Sequence, residues 1–265
     1  MVKKKKNPKS PSLKQKSNVP ITIEELSPDV LEFLKDKDKM LLSFSGGKDS
    51  LCAWCVLREL GIEVAPYYMN MIPGGMSWVN DYLDYVERKF DTKILRVQHP
   101  QPYTWLKTFA GQPPHRYHHI NALNLPRFSY EELADGVRRT MAIRTGDESW
   151  YDVWEAVGTR ATDSLWRRTV FKRHGWLKEE QRKAYIIHNV NKDSLIKIIK
   201  RHDVKLSPCY KYFGISFDGV HYRFAKKIKE NFPDDWARIK KLMPMQEAEL
   251  MRVHFGKING TVTEG

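Results

Sequence analysis

The residues with the clearest chemical purpose stand in one run, Ser43-Phe44-Ser45-Gly46-Gly47-Lys48-Asp49-Ser50. Two consecutive glycines let a backbone turn sharply and approach a ligand without Cβ collisions. Ser45 and Ser50 add hydroxyl donors and Lys48 a positive charge, while Asp49 offers a carboxylate for Mg²⁺ or for capping a helix. Before the run, Lys39 to Phe44 is a short apolar stretch that reads as a buried strand. After it, Leu51, Trp54, Cys55 and Leu57 recur at helical spacing over Asp49 to Leu60, and Gly61 ends the pattern. A glycine turn feeding a strand into a helix aims the unpaired N–H groups of the helix's first turn at an anion. The spacing is neither that of a Walker A loop nor that of a G-x-G-x-x-G dinucleotide fingerprint.

A second basic cluster, Gly158-Thr159-Arg160 with Ser164, Arg167 and Arg168, follows another expected strand. Arg160 would stand at that strand's carboxyl end, on the sheet rim where open α/β sheets bind ligands. Ser164 and Arg167 are one helical turn apart, so hydroxyl and guanidinium can meet the same phosphate. The alternative is a solvated helix with unconnected arginines.

Around these clusters the periodicity predicts alternating strands and helices. A short helix opens at Ser27-Pro28 and runs through Leu34; strands are expected at Lys39–Phe44, Glu63–Met71 and Lys93–Gln98, with a helix over Trp78–Phe90. Residues 99–128, with five prolines and Arg116-Tyr117-His118-His119, read as loop. Ser129 and Glu132 form a capping box for a helix to about Arg144. A fourth strand is expected over Tyr151–Val157, a helix over Ala161–His174, a fifth strand over Ala184–Val190 and a helix over Asp193–His202. Beyond Ser207-Pro208 the chain reads as irregular, then helical from about Tyr222 with breaks at Pro233 and Pro244. The alternation predicts an α/β fold: a Rossmann-like open parallel sheet with helices on both faces, plus a helical C-terminal extension. The expected division is a basic arm over 1–20, a nucleotide-binding domain over 21–215 and the extension over 216–265.

Composition agrees with a packed domain: 265 residues, 41% hydrophobic and 12% aromatic. The net charge of +13 is uneven, because seven lysines fall within the first sixteen residues and the remainder carries +6. That arm is either a solvated tail or a sequence-blind contact to nucleic-acid phosphates. Three cysteines do not make a disulfide scaffold and suit a reducing compartment. No apolar run approaches the roughly 20 residues that span a bilayer, and no apolar stretch follows the basic N-terminus as in a secretory signal. The expected location is cytoplasmic.

SFSGGKDS resembles the phosphate loop of the PP-loop superfamily (SGGxDS), in the form found in the phosphoadenylyl-sulfate reductase-like family. The G-x-R-x-x-x-S-x-x-R element at 158–167, Tyr67 to Gly74, His99-Pro100, Ser207-Pro208 and Phe213-Gly214 are similar to a phage-type branch of that family, over about residues 38–256. The resemblance implies an adenine nucleotide α-hydrolase-like fold. It also implies ATP or phosphoadenylyl sulfate as ligand, held at Ser43, Ser45, Gly46, Gly47, Lys48, Asp49, Ser50, Gly158, Arg160, Ser164 and Arg167. Lys48, Asp49 and Arg160 would be catalytic, with Mg²⁺ at Asp49, and the usual chemistry is α–β cleavage with transfer of AMP.

The chain departs from true reductases, which need a catalytic cysteine near the C-terminus; nothing after Cys209 is a cysteine. Reducing a sulfonucleotide requires a thiolate, and Cys209 has no second cysteine beside it. Cys52-x-x-Cys55 lies in the helix after the glycine turn, where packing against the sheet is the expected role. With Cys209 it is a poor ligand set for an iron–sulfur cluster, so none is expected. His115, His118 and His119 lack a cysteine or carboxylate at ligand spacing and are expected in a solvated loop rather than at a metal. Asn70, where related enzymes often carry an acid, is given no catalytic role, and Trp236 and Phe255 are expected in the core. Three functions remain open: adenylyl transfer; thiol-dependent sulfonucleotide reduction; and a nucleotide-gated regulator without turnover that binds nucleic acid through the lysine arm. A protein partner or homo-oligomer is compatible with each.

Overall fold

The computed structural model describes residues 23–127 and 129–258; the lysine arm lies outside them. Helix α1 (Pro28–Lys35) leads into β1 (Lys39–Ser43), α2 (Lys48–Glu59), β2 (Glu63–Asn70), α3 (Ser77–Phe90) and β3 (Leu95–Gln98). Short helices α4 (Gln101–Lys107) and α5 (Tyr117–Ala122) precede α6 (Tyr130–Thr145), β4 (Glu155–Val157) and α7 (Leu165–His174). A hairpin of β5 (Leu177–Lys178) and β6 (Lys183–Ala184) is followed by α8 (Lys192–Arg201) and α9 (Cys209–Phe213). The chain then closes with α10 (Tyr222–Asn231), α11 (Pro233–Leu242) and α12 (Gln246–Ile258).

The sheet order is β3-β2-β1-β4-β6-β5, parallel throughout except for the antiparallel β5–β6 hairpin at one edge. This is the expected α/β, Rossmann-like arrangement. The order runs outward from β1 to β3 and then restarts on β1's other side with β4. The carboxyl ends of β1 and β4 therefore flank the point where the connections diverge, and a crevice opens at such a point.

Strand periodicity explains the two layers. Met40 and Leu42 of β1 and Tyr68 of β2 face a large core with Trp54 and Leu57 of α2, Leu83 of α3 and Ile198 of α8. Leu41, Ala65 and Tyr67 face the other way, into a smaller core with Val137 and Ala142 of α6 and with Trp150. Phe224, Ile228, Trp236 and Ile239 of the C-terminal helices belong to the larger core. The expected capping box of α6 is present, with Ser129 and Glu132 bonding reciprocally.

Several expectations change. Only Glu155–Val157 of the fourth strand pairs; residues 148–152 form a 3-10 turn held by Asp147, whose carboxylate accepts from the Ser149 amide. The fifth strand stops at Ala184. Ile186, Ile187 and Val190 are buried from successive turns rather than from a ladder, so an apolar run alone did not distinguish the two. The region 99–128 is partly helical: Pro102 and Pro114 sit in first turns, where proline starts a helix instead of breaking it. The helix expected from Ala161 begins at Leu165, after a 3-10 turn at Ala161–Asp163. Cys209–Phe213, expected to be irregular, is a helix. Phe255 is 58% exposed, whereas Trp236 is buried.

A buried carboxylate ties the C-terminal helices to the sheet's partner helix. Asp235, 2% exposed, accepts from the backbone N–H and the hydroxyl of Ser77 at the start of α3 (2.9 and 2.6 Å) and from Arg238 (3.0 Å). Helix α3 has no side-chain cap of its own, so Asp235 serves from a distance. Asp235→Ala is expected to lower unfolding free energy by about 2–3 kcal/mol, with Asp235→Asn intermediate, as read from urea denaturation followed by circular dichroism.

Candidate functional site

The glycine run turns where expected. Gly46 has φ +74°, a conformation that disfavours any side chain, and Gly47 is the N-cap of α2. The turn is tied to itself. The Ser50 hydroxyl donates to the Gly47 carbonyl (3.1 Å) and accepts from the Ser45 amide (3.1 Å). With that proton committed, Ser45 Oγ is the donor across 3.0 Å to Ser50 Oγ, and it accepts weakly from the Gly47 amide at 3.4 Å. Ser43, the last residue of β1, is half-buried and pairs in register with Tyr67 and Val157. The loop is therefore preorganised by its own serines.

Gly158 has a packing role that sequence alone did not reveal. A Cβ there would lie 2.6 Å from the Cα and amide N of Ser50 and 2.7 Å from the carbonyl carbon of Asp49. Only glycine lets the end of β4 lie flush against the first turn of α2.

That approach brings the two basic clusters into one ion-pair chain. Lys48 Nζ is 2.9 Å from Asp49, whose other oxygen accepts from Arg160 Nε at 2.6 Å. Arg160 also donates to Asp163 (2.7 Å) and to the Val190 carbonyl (3.3 Å), and Asp163 accepts from Arg167 at 2.8 Å. Three cations against two carboxylates leave one positive charge in excess. Arg160 is 5% exposed and acts as a strut joining α2, the 161–163 turn and Val190. Ser164 Oγ caps α7 by accepting the Arg167 amide (3.1 Å), while the Arg167 guanidinium turns to Asp163. In this conformation Ser164 and Arg167 thus do not converge on one point.

Both oxygens of Asp49 are held by cations, and among the described residues no cluster of three or more His, Cys, Asp or Glu is arranged to hold a metal. In this conformation Asp49 turns to Lys48 and Arg160 rather than to a metal. His115, His118 and His119 are exposed, the last two on α5 rather than in a loop.

Residues distant in sequence complete the cradle. The Tyr210 hydroxyl, on α9, accepts the Lys48 amide at 2.9 Å and so occupies one of the N–H groups at the mouth of α2. Ser216 lies beside Gly47, and the rings of Tyr68 and Tyr82 lie beside Gly46. Burial pushes both of those phenols above the ordinary tyrosine range, so they stay neutral and act as walls. Nothing near residues 43–50 announces Tyr210. Asn70 is buried at the end of β2. A cavity of about 650 Å³, lined by Trp105, Val220, His221, Met243 and Gln246, lies beside the C-terminal helices, and the glycine loop is not among its walls.

The thiols are inert by position. Cys52 and Cys55 are fully buried and Cys209 is 4% exposed. Burial raises the Cys52 thiol far above its usual range and pushes Cys55 up to about 12.

No protein-family model matches the chain, and no curated protein does. Among solved structures it is similar to an NH3-dependent NAD synthetase from Campylobacter jejuni subsp. jejuni NCTC 11168, determined in complex with the nitrate ion. Identity is 12%, coverage is 92% of this chain and 99% of that one, and the TM-score is 0.38. At that score the likeness is too slight to transfer any residue's role.

Two outcomes test the geometry. Gly158→Ala is expected to destabilise the fold by about 1–3 kcal/mol through overpacking and to disturb the glycine loop, seen as new amide shifts at residues 46–50. At pH 8, where a thiol with its pKa near 12 is almost wholly protonated, iodoacetamide should leave Cys52 and Cys55 unmodified in the native protein and alkylate both in urea.

Proposed function

We propose that this chain is a PP-loop enzyme of the ATP-pyrophosphatase kind. It binds ATP or a sulfonucleotide at residues 45–50; with ATP it transfers the adenylyl group to a nucleophilic acceptor or to water, the α–β phosphate bond breaking and pyrophosphate leaving. The observation that carries the reading is the preorganised Ser45–Ser50 turn at the mouth of α2, beside the point where the sheet order restarts. Lys48, the cation on the turn itself, would neutralise phosphate oxygens, and Gly46 and Gly47 would let the backbone amides approach them. Asp49 and Arg160 would hold the turn and the end of β4 in register, and Arg167 would lend the outer positive charge. Mg²⁺ accompanying the nucleotide would be bound by its phosphates and by water, since Asp49 is committed to Arg160 and Lys48.

Phosphoryl and adenylyl transfer depend chiefly on positioning and charge neutralisation, which a rigid amide-lined turn and a lysine supply. Sulfonucleotide reduction is the weaker reading, because its nucleophile must be a thiolate and all three thiols are buried.

With ATP labelled in the β and γ positions, the wild-type protein is expected to release pyrophosphate and Lys48→Ala to do so about 100-fold more slowly. Equal release from the two proteins, release from neither, or the absence of heat on calorimetric titration with millimolar ATP would overturn the reading. Sulfite release from phosphoadenylyl sulfate that Cys209→Ser abolishes would favour reduction instead.

A further inference from the structure

Helix α7 buries none of its ten residues. It is held to the body by few groups: Phe171 packs edge-on against Tyr185 (5.1 Å between centroids), and Arg167 reaches back to Asp163. Leu165 and Trp166 are 76% and 74% exposed, although a tryptophan is ordinarily among the better-buried residues. The helix carries no acid. Arg168, Lys172 and Arg173 are exposed, and none of the three pairs with a carboxylate among the described residues. Arg168 and Lys172 stand four apart, a like-charge spacing that costs helix stability unless something outside the chain relieves it.

We infer that α7 is a docking surface for single-stranded nucleic acid, with Arg168, Lys172 and Arg173 on phosphates and the Trp166 indole as a stacking platform for a base.

Helical periodicity supports the arrangement. Val170 and Phe171, half-buried, mark the inward side, so Leu165, Arg168, Thr169, Lys172 and Arg173 lie on the outward arc and Trp166 on its flank, in line with Arg173 seven residues on. A flat indole among unpaired cations is the pattern of sequence-tolerant strand binding, in which each base offers a π-face and the backbone meets the charges. A duplex keeps its bases stacked on one another and would leave the indole unused. A membrane surface would require a continuous apolar stripe, and here the outward arc is interrupted by three cations. A second copy of the chain packed symmetrically through this face would set the same cations against one another. The helix starts directly after Ser164, next to Asp163 of the ion-pair chain that leads through Arg160 to Asp49. The inference stands apart from nucleotide turnover and from the lysine-rich arm.

The test uses the full-length protein with fluorescently labelled dT20 and U20 in an anisotropy titration at several salt concentrations. Trp166→Ala is expected to weaken binding about 10-fold with an unchanged salt slope. The triple variant Arg168→Gln, Lys172→Gln, Arg173→Gln is expected to weaken it by at least about 10-fold at low salt and to lower the slope of log affinity against log salt by about 2. These side chains are exposed, so circular dichroism should match wild type. A preference for either oligonucleotide supports the inference and identifies which nucleic acid is the partner. No binding by the wild type, or equal affinity in wild type and both variants (as when the lysine-rich arm carries all of it), overturns it. So does a variant that turns a wild-type dimer into a monomer in light scattering while oligonucleotide affinity stays the same.

Discussion

The site depends on a backbone contact in which a single β-carbon cannot fit. At Gly158 the end of β4 rests on the first turn of α2, with 2.6 Å between a built Cβ and the backbone of Ser50. Without that approach the carboxyl ends of β1 and β4 would be separated by a side chain. Arg160 would then stand away from Asp49, and the turn at 46–50 would lose the strut that fixes it from behind. Interiors are close-packed and transmit such displacements rather than absorb them. The geometry of an anion cradle is thus set by a glycine outside the cradle.

Charge placement follows from the same contact. Arg160 is nearly buried and would be costly there unpaired, and its bonds to Asp49, Asp163 and the Val190 carbonyl offset that cost. The acids serve the arginine first. A buried, fully engaged guanidinium contributes a fixed field and a rigid wall, whereas Lys48, 30% exposed in its side chain, has its ion pair to Asp49 to exchange for an arriving anion. The division between a held cation and an available one is what preorganisation requires, because little reorganisation is left for the binding step.

How much of this was legible in the sequence can be argued residue by residue. From Lys39 to Gln98, short apolar runs alternate with segments of helical period, and β1, α2, β2 and α3 lie within a residue or two of expectation. The glycine pair was legible because its chemistry is local: strand, turn and helix mouth are contiguous. Gly158 is given a role in the sequence reading only through the family resemblance, and its approach to the backbone of residue 50 is what the structure adds. Tyr210 was invisible. It reaches the Lys48 amide from 162 positions away, through a short helix whose five residues carry too little periodicity to be read. The fifth strand failed because Ile186, Ile187 and Val190 satisfy burial equally well from turns. An apolar run constrains where side chains go and leaves the backbone's hydrogen-bond partners undetermined.

The two chemistries that the loop sequence suggests make opposite demands on their surroundings. A thiol that attacks sulfur must reach solvent and ionise near neutral pH, which calls for exposure and nearby positive charge. Here Cys52 and Cys55 are buried within α2, the helix that starts at the glycine turn, and desolvation holds their protons on. Glu59 pushes both thiols in the same direction as burial while Arg160, Arg58 and Arg201 oppose it, and burial is the largest cause. Adenylyl transfer asks for none of this. Its transition state spreads charge over phosphoryl oxygens, and it is served by a positioned cation and a wall that does not yield. The proposed adenylyl transfer would draw on the rigid turn at 45–50 and on Lys48, and Tyr210 would have to release the Lys48 amide for that group to meet a phosphate. The first chemistry would require a buried thiol, on α2 or at Cys209 of α9, to be brought to solvent.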